Sequence, residues 1–160
     1  MSTSVPRPYG QFNFQVVFSN GSFPQSTDPK AGFQEISGLT MEVHMAEYRN
    51  GNYGFNNTMQ IPGLTKYGPV TFKRGLIGDT TTIYGWINSI SLGNTMNWQT
   101  VTVQQMDETG QNVVQQWKLI NARPTKYVGP TLSGKGTDIS IEEMTLSVET
   151  ITQLPTPATS

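Results

Sequence analysis

Residues 32–75 read GFQEISGLTMEVHMAEYRNGNYGFNNTMQIPGLTKYGPVTFKRG, and the fold turns on how this stretch divides. Gly32 opens an extended region and Gly38 interrupts it as a bulge or sharp bend. Beyond it Met41, Val43 and Met45 alternate with Glu42, His44 and Ala46, a period of two that predicts a strand with one buried face. A polar, aromatic excursion, Asn50–Gln60, follows and is closed by Pro62-Gly63. Val70 and Phe72 then share one side of a further strand, with Thr71 and Lys73 on the other. Glycine and proline fall at the corners, and the excursion is too long and too aromatic for an idle loop. It reads as an assembly element.

Outward from this stretch, residues 1–10 form a Pro-rich arm, and Gln11–Phe18 alternates with Phe12, Phe14, Val16 and Phe18 on one face. Residues 19–31 carry the Gly, Pro, Asn and Asp of a loop. On the C-terminal side, Ile83, Ile87 and Ile90 have helical spacing; Asp79 or Thr80 can cap a helix over roughly residues 80–92 and Gly93 can end it. Trp98–Met106 and Val113–Ile120 predict a hairpin around the turn 107–110. Residues 121–137 read as a broken connection. In Asp138–Glu149 the apolar phase slips at Glu142-Glu143, which predicts a bulge, and residues 151–160 read as a flexible tail. The sum is one domain over residues 1–150, mainly β, an antiparallel barrel or sandwich with one flanking helix.

Composition narrows the function. Only 13% of residues are charged, against about 25% in an ordinary soluble domain, which suits a surface destined to be covered by neighbours. The net charge of −1 and the lack of a Lys/Arg cluster exclude a nucleic-acid groove, whose affinity comes from neutralising several phosphates. There is no Cys, hence no thiol chemistry and no Cys-ligated zinc. No apolar signal core and no long apolar window is present, so synthesis in a bacterial cytoplasm is expected.

Candidate chemistry fails on its own terms. Gly129-Pro-Thr-Leu-Ser-Gly134-Lys135-Gly136 imitates a phosphate-binding loop, but Gly136 stands where Ser or Thr must hold magnesium, and a strand rather than a helix follows. His44 is the only histidine and has no nucleophile or co-ligand signature nearby. Glu142 and Glu143, as strand neighbours, point to opposite faces. Asn20-Gly-Ser22 and Asn56-Asn-Thr58 match a glycosylation acceptor by chance in a chain without an export signal, and Trp86, Trp98 and Trp117 read as packing residues. The reading therefore assigns no catalytic residue, no metal and no cofactor.

The linked segments GF-x-E-I-SGL, E-x-x-x-x-EYRNG and PGLTKYGPVTFKRG resemble the tail tube protein family of contractile phages and phage-tail-like contractile injection systems. Gly38 and Leu39, then Glu47, Tyr48 and Arg49, then Pro62, Gly63, Leu64, Thr65, Lys66 and Tyr67, and finally Lys73, Arg74 and Gly75 carry the pattern. The C-terminal half from Val101 onward continues it. The resemblance implies a barrel-like subunit that closes into a hexameric ring, with rings stacking into a tube that a contracting sheath drives through a target envelope. It implies as partners further copies of the chain, a sheath, baseplate or spike and terminal cap proteins, and protein cargo or DNA in the lumen without stable nucleic-acid binding; the target membrane is met only as part of the particle. Asn50, Gly51, Asn52, Tyr53, Gly54, Phe55, Asn56 and Asn57 are then the candidate ring-stacking contact, and Gln99, Gln105, Gln115 and Gln116 candidate lumen or interface positions. A phage tail tube conducting DNA, a type VI-like tube and a carbohydrate-binding β-sandwich are the competing readings.

Overall fold

A computed structural model of the chain describes residues 7–19, 32–77 and 81–155. The N-terminal arm up to residue 6, most of the 19–31 loop with the Asn20 sequon, the Asp79 and Thr80 cap positions and the last five residues lie outside the described residues. The order of elements is β1 (Phe14–Phe18), β2 (Glu35–Ser37), β3 (Met41–Tyr48), β4 (Met59–Tyr67), β5 (Val70–Gly75), α1 (Thr82–Ser91), β6 (Gln99–Met106), β7 (Val113–Val128), β8 (Ile141–Ser147) and β9 (Thr150–Leu154). Every pairing is antiparallel. One sheet runs β1-β6-β7-β8-β5-β2 with β9 added to β7, and β3 pairs with β4 as a separate ribbon.

The large sheet folds upon itself because β7 serves both halves. Its first part pairs with β6 and β9, its second with β8. At the change Asn121 takes φ 55, a left-handed conformation that Asn tolerates because its short side chain hydrogen-bonds locally. Here Asn121 Nδ2 donates to Glu149 Oε2 at 2.6 Å. Residues 121–128, expected to belong to a broken connection, are therefore strand. Pro124 is accommodated next to a register shift against β8, as a residue without an N–H must be.

The two halves close on one core. Val16, Phe18, Val101, Val103 and Leu119 face Val70, Phe72, Met144 and Leu146, and α1 contributes Ile83 and Trp86. Phe18 meets Trp86 edge-on at 6.4 Å, and Phe33 bridges Phe18 and Phe72. Trp86 also donates its ring N–H to the Asn97 carbonyl, anchoring the helix to the chain that enters β6. The helix has Thr81 at its N-cap position and stops before Gly93, which takes φ +100 as expected. The β6–β7 hairpin is set by Asp107, whose carboxylate accepts from Thr109 Oγ1, Asn112 Nδ2 and the Gln111 amide. These hydrogen bonds, those from Thr109 and Asn112 foremost, hold its pKa well below the usual carboxylate value.

Four more expectations are corrected. Phe12 precedes β1 and is exposed rather than continuing the buried face of Phe14, Val16 and Phe18. No bulge occurs at Glu142-Glu143: β8 pairs with β5 without a shift, and Glu142, Met144 and Leu146 are buried while Ile139 and Ile141 are exposed. The phase looked broken because a charged residue occupies a core position. The supposed tail is strand over Thr150–Leu154, paired with Gln116–Ile120, so the domain extends past residue 150. Finally, β3 has no buried face at all.

Candidate assembly interface

The ribbon formed by β3 and β4 leaves the body between β2 and β5. Its root is fixed by backbone hydrogen bonds from Thr40 N to Gly38 O and from Gly68 N to Thr40 O. Gly38 has φ +90, and a Cβ there would overlap the Pro69 carbonyl oxygen, so only glycine fits. Eight residues of strand at about 3.4 Å each carry the ribbon some ~27 Å outward.

Its alternation, read in the sequence as one buried face, exposes both. Cross-strand partners share a face, which puts Met41, Val43 and Met45 with Tyr67, Thr65 and Pro62 on one side, and Ala46 and Tyr48 with Ile61 and Met59 on the other. Apolar side chains thus cluster near the root on one face and near the tip on the reverse. Met41, Val43, Met45, Tyr48, Met59, Ile61 and Leu64 are all exposed, Leu64 at 83%. A monomer rarely leaves this many large apolar side chains uncovered on one element.

Pro62 and Gly63 do not close the excursion as expected; they lie inside β4. Between Val43↔Thr65 and Met45↔Pro62 the register shifts, so that Gly63 and Leu64 oppose His44 as a bulge. A Cβ on Gly63 would approach the His44 carbonyl oxygen to 3.1 Å, which explains the glycine, and the bulge turns Leu64 outward. His44 is exposed on this ribbon. The loop proper is confined to residues 49–58.

At the tip, Arg49 folds over the loop, donating from Nε and Nη2 to the Phe55 carbonyl at 3.3 and 3.2 Å and from Nη2 to Tyr53 O at 3.4 Å. Tyr53 and Phe55 meet edge to face at 5.8 Å, with Phe55 exposed. Tyr48 donates its hydroxyl to Asn50 Oδ1, and Gln60 Nε2 to Glu47 Oε1 at 3.1 Å. Glu47, Tyr48 and Arg49 thus build the tip, Leu64 to Tyr67 belong to β4, and Lys73 to Gly75 end β5. Gly51 and Gly54 have open space around them, while Asn52, Asn56 and Asn57 are exposed.

The sequence grouped four glutamines that the fold separates. Gln99 is buried in the core-facing row of β6, and neither atom of its amide has a hydrogen-bond partner among the described residues. Gln105 stands opposite Phe14 and, with Trp117, Val103 and Leu39, lines a cleft of about 470 Å³ between the β1 and β2 edges. Gln115 pairs with Gln105 and so shares its face. Gln116 is on the opposite, outward face, where Gln104 Nε2 donates to its Oε1 at 3.3 Å. That outward face also carries Gln15, Thr102, Lys118 and Thr152. Sequence reasoning missed Gln15, Gln104 and Thr152 here, although the period of two in β6 already places Thr102 and Gln104 opposite Val101 and Val103.

Among the described residues no group of three or more His, Asp or Glu is placed to hold a metal. Glu142 accepts from Arg74 Nε and from the Tyr127 hydroxyl at 2.9 Å, all within the domain interior. Burial first, and the Glu142 carboxylate second, raise the Tyr127 pKa. Trp98 lies under the Arg123 guanidinium, 3.9 Å from its ring centroid, and Trp117 packs against the core.

Comparison with known proteins gives a family model, described as T4-like virus tail tube protein gp19, that matches residues 10–152. Among solved structures, a chain in the cryo-EM structure of the anti-feeding prophage cap (AFP tube terminating cap) is 24% identical, with a TM-score of 0.79, covering 95% of this chain and 94% of that one. A chain in the PVC sheath-tube complex of an extracellular contractile injection system, in its extended state, is 26% identical with a TM-score of 0.78, each chain covered to 94%. Hcp1 from Flavobacterium johnsoniae shares the fold more loosely, at 12% identity and a TM-score of 0.51 over 89% of this chain and 94% of that one. No curated protein matches.

Proposed function

The chain belongs to the family of the T4-like virus tail tube protein gp19, and on that premise we propose that it is the structural inner-tube subunit of a contractile injection device. The observation that carries this reading is the ribbon: an ordered two-stranded element, rooted rigidly at Gly38, whose apolar residues the domain itself leaves uncovered. Such an element is complete only in an assembly. The reading gives the protein a role through its surfaces and none as a catalyst.

Subunits join into hexameric rings through the free edges of β1 and β9, which flank the strands β6 and β7 and would otherwise invite uncontrolled pairing. The outward face of these strands lines the lumen. Its Gln and Thr side chains offer hydrogen bonds that water satisfies equally well, so a passing polymer slides rather than sticks. Lys118 is the one charge among the described strand residues of that face. The ribbon, with Asn50–Asn57 at its tip, makes the contact between rings. Sheath, baseplate and cap proteins surround the finished tube, whose cargo is protein or, in a phage tail, DNA; the subunit is made in the bacterial cytoplasm and works as part of the particle. The much closer likeness to the contractile injection chains than to Hcp1 favours this reading over a type VI tube.

Size-exclusion chromatography followed by negative-stain microscopy of the purified chain tests it. Rings or tubes are expected; a stable monomer that binds glycan overturns it. Replacing residues 50–57 with a Gly-Ser linker is expected to leave a folded domain that no longer stacks.

A further inference from the structure

The outward face of β1, β6, β7 and β9 is built from rows of side chains that run across the strands. Gln15, Gln104, Gln116 and Leu154 stand side by side in one row, and Val17, Thr102, Lys118 and Thr152 in the next. The amides of the first row are engaged: Gln104 Nε2 donates to Gln116 Oε1 at 3.3 Å, and Gln116 Nε2 to the Pro155 carbonyl at 3.5 Å. Lys118 differs. A threonine stands directly opposite it on each side, and neither can neutralise an ammonium group. Among these residues Lys118 alone is exposed, the others being half-buried. The acids nearest along the chain lie at the strand ends. There Thr109 and Asn112 occupy the Asp107 carboxylate, Asn121 occupies that of Glu149, and Glu108 sits in the hairpin turn.

We propose that Lys118 is the cargo-selecting residue of this chain, and that the cargo it favours is a polypeptide with an excess of carboxylates. The inference rests on the tube reading, which puts this face in the lumen, and adds the class of cargo. One lysine per subunit becomes a closed circle of ammonium groups in every ring, repeated at each ring of the stack. Charge of one sign on the low-dielectric wall of a narrow channel focuses its field inward and concentrates the opposite ion. The ammonium is a compact, strongly hydrated point charge on a flexible stem, and its neighbours are neutral, so it attracts a passing carboxylate without locking it in place. A nucleic acid suits this wall less well. It carries a charge about every 1.7 Å and gains affinity by neutralising many phosphates together, whereas these rows offer a single cation per subunit. They also hold no aromatic side chain on which a base could stack. Carboxylates spaced along a polypeptide match so sparse a wall.

Co-sedimentation of assembled tubes with fluorescent oligoglutamate, oligolysine and a single-stranded oligodeoxynucleotide of matched length tests the assignment. Native tubes are expected to retain oligoglutamate best, with binding that fades as salt is raised. Lys118→Gln should weaken that retention about tenfold, Lys118→Arg should keep it, and Lys118→Glu should transfer the preference to oligolysine. Equal retention of oligoglutamate by native and Lys118→Gln tubes overturns the proposal. Preference for the oligodeoxynucleotide overturns the polypeptide class, and Lys118→Gln chains that fold without assembling make Lys118 an interface residue and overturn it too. The native chain contains no cysteine, so Lys118→Cys tests the premise separately. In tubes it should react with a small maleimide but not with one coupled to a protein too large to enter. Equal reaction with both puts the face outside the tube and removes the lumen assignment, and a native chain that forms no ring or tube removes the tube reading itself; either result takes the proposal with it.

Discussion

Arg74 and Glu142 stand directly opposite each other on β5 and β8, both side chains fully buried, with the guanidinium donating to the carboxylate. The Tyr127 hydroxyl from β7 takes up the second carboxylate oxygen, so three adjacent strands share one polar cluster. A buried pair of this kind contributes little net stability, because the desolvation of both ions offsets their attraction. What it does set is registry, since a one-residue slip would strand both charges.

Removing one member should therefore cost far more than removing all. Arg74→Met is expected to lose about 3–5 kcal/mol in urea unfolding, whereas Arg74→Met/Glu142→Leu in a Tyr127→Phe background should be as stable as the native chain or more so. A fully replaced cluster as unstable as the single variant would contradict this account.

Alkaline pH should act through Tyr127. The neutral phenol donates to Glu142, whereas a phenolate would lose hydration and face a carboxylate, so the folded pKa lies above its ordinary value of 10.0. A group with a raised folded pKa stabilises the fold fully below its unfolded pKa and loses that contribution as pH rises through the folded one. Unfolding curves should show stability falling from about pH 10 upward, with a shallower fall in Tyr127→Phe.

Two glycines should respond with opposite signs. Gly38→Ala places a methyl against the Pro69 carbonyl at φ +90 and should cost about 2 kcal/mol or more. Gly85 is exposed on α1 with nothing within 4 Å, so Gly85→Ala should gain up to about 1 kcal/mol from helix propensity alone. Thermal unfolding of the two variants separates backbone strain from composition.

Gln99 offers a further check. Its amide is buried without a partner among the described residues, and Gln99→Met keeps the shape while removing the orphaned polar atoms, so a gain of about 1 kcal/mol is expected. A loss of similar size would mean that the amide is satisfied by a bound water.

The sequence by itself determined the antiparallel β class, the helix that ends at Gly93, the β6–β7 hairpin and the family pattern of residues 32–75. Each of these rests on local signals: a period of two or of 3.6, turn chemistry, and linked motifs. What only the tertiary structure decided depends on partners distant in sequence. Glu142 can occupy a core position because Arg74 and Tyr127 reach it, so the phase of β8 could not be read from hydrophobicity. Asn121 carries β7 from one half of the sheet to the other, and Thr150–Leu154 is strand because β7 offers it an edge. Above all, the alternation of Met41, Val43 and Met45 is the same whether a face is covered by its own domain or by another copy. Periodicity reports that a surface is to be buried, and the fold alone tells that this chain does not bury it unaided.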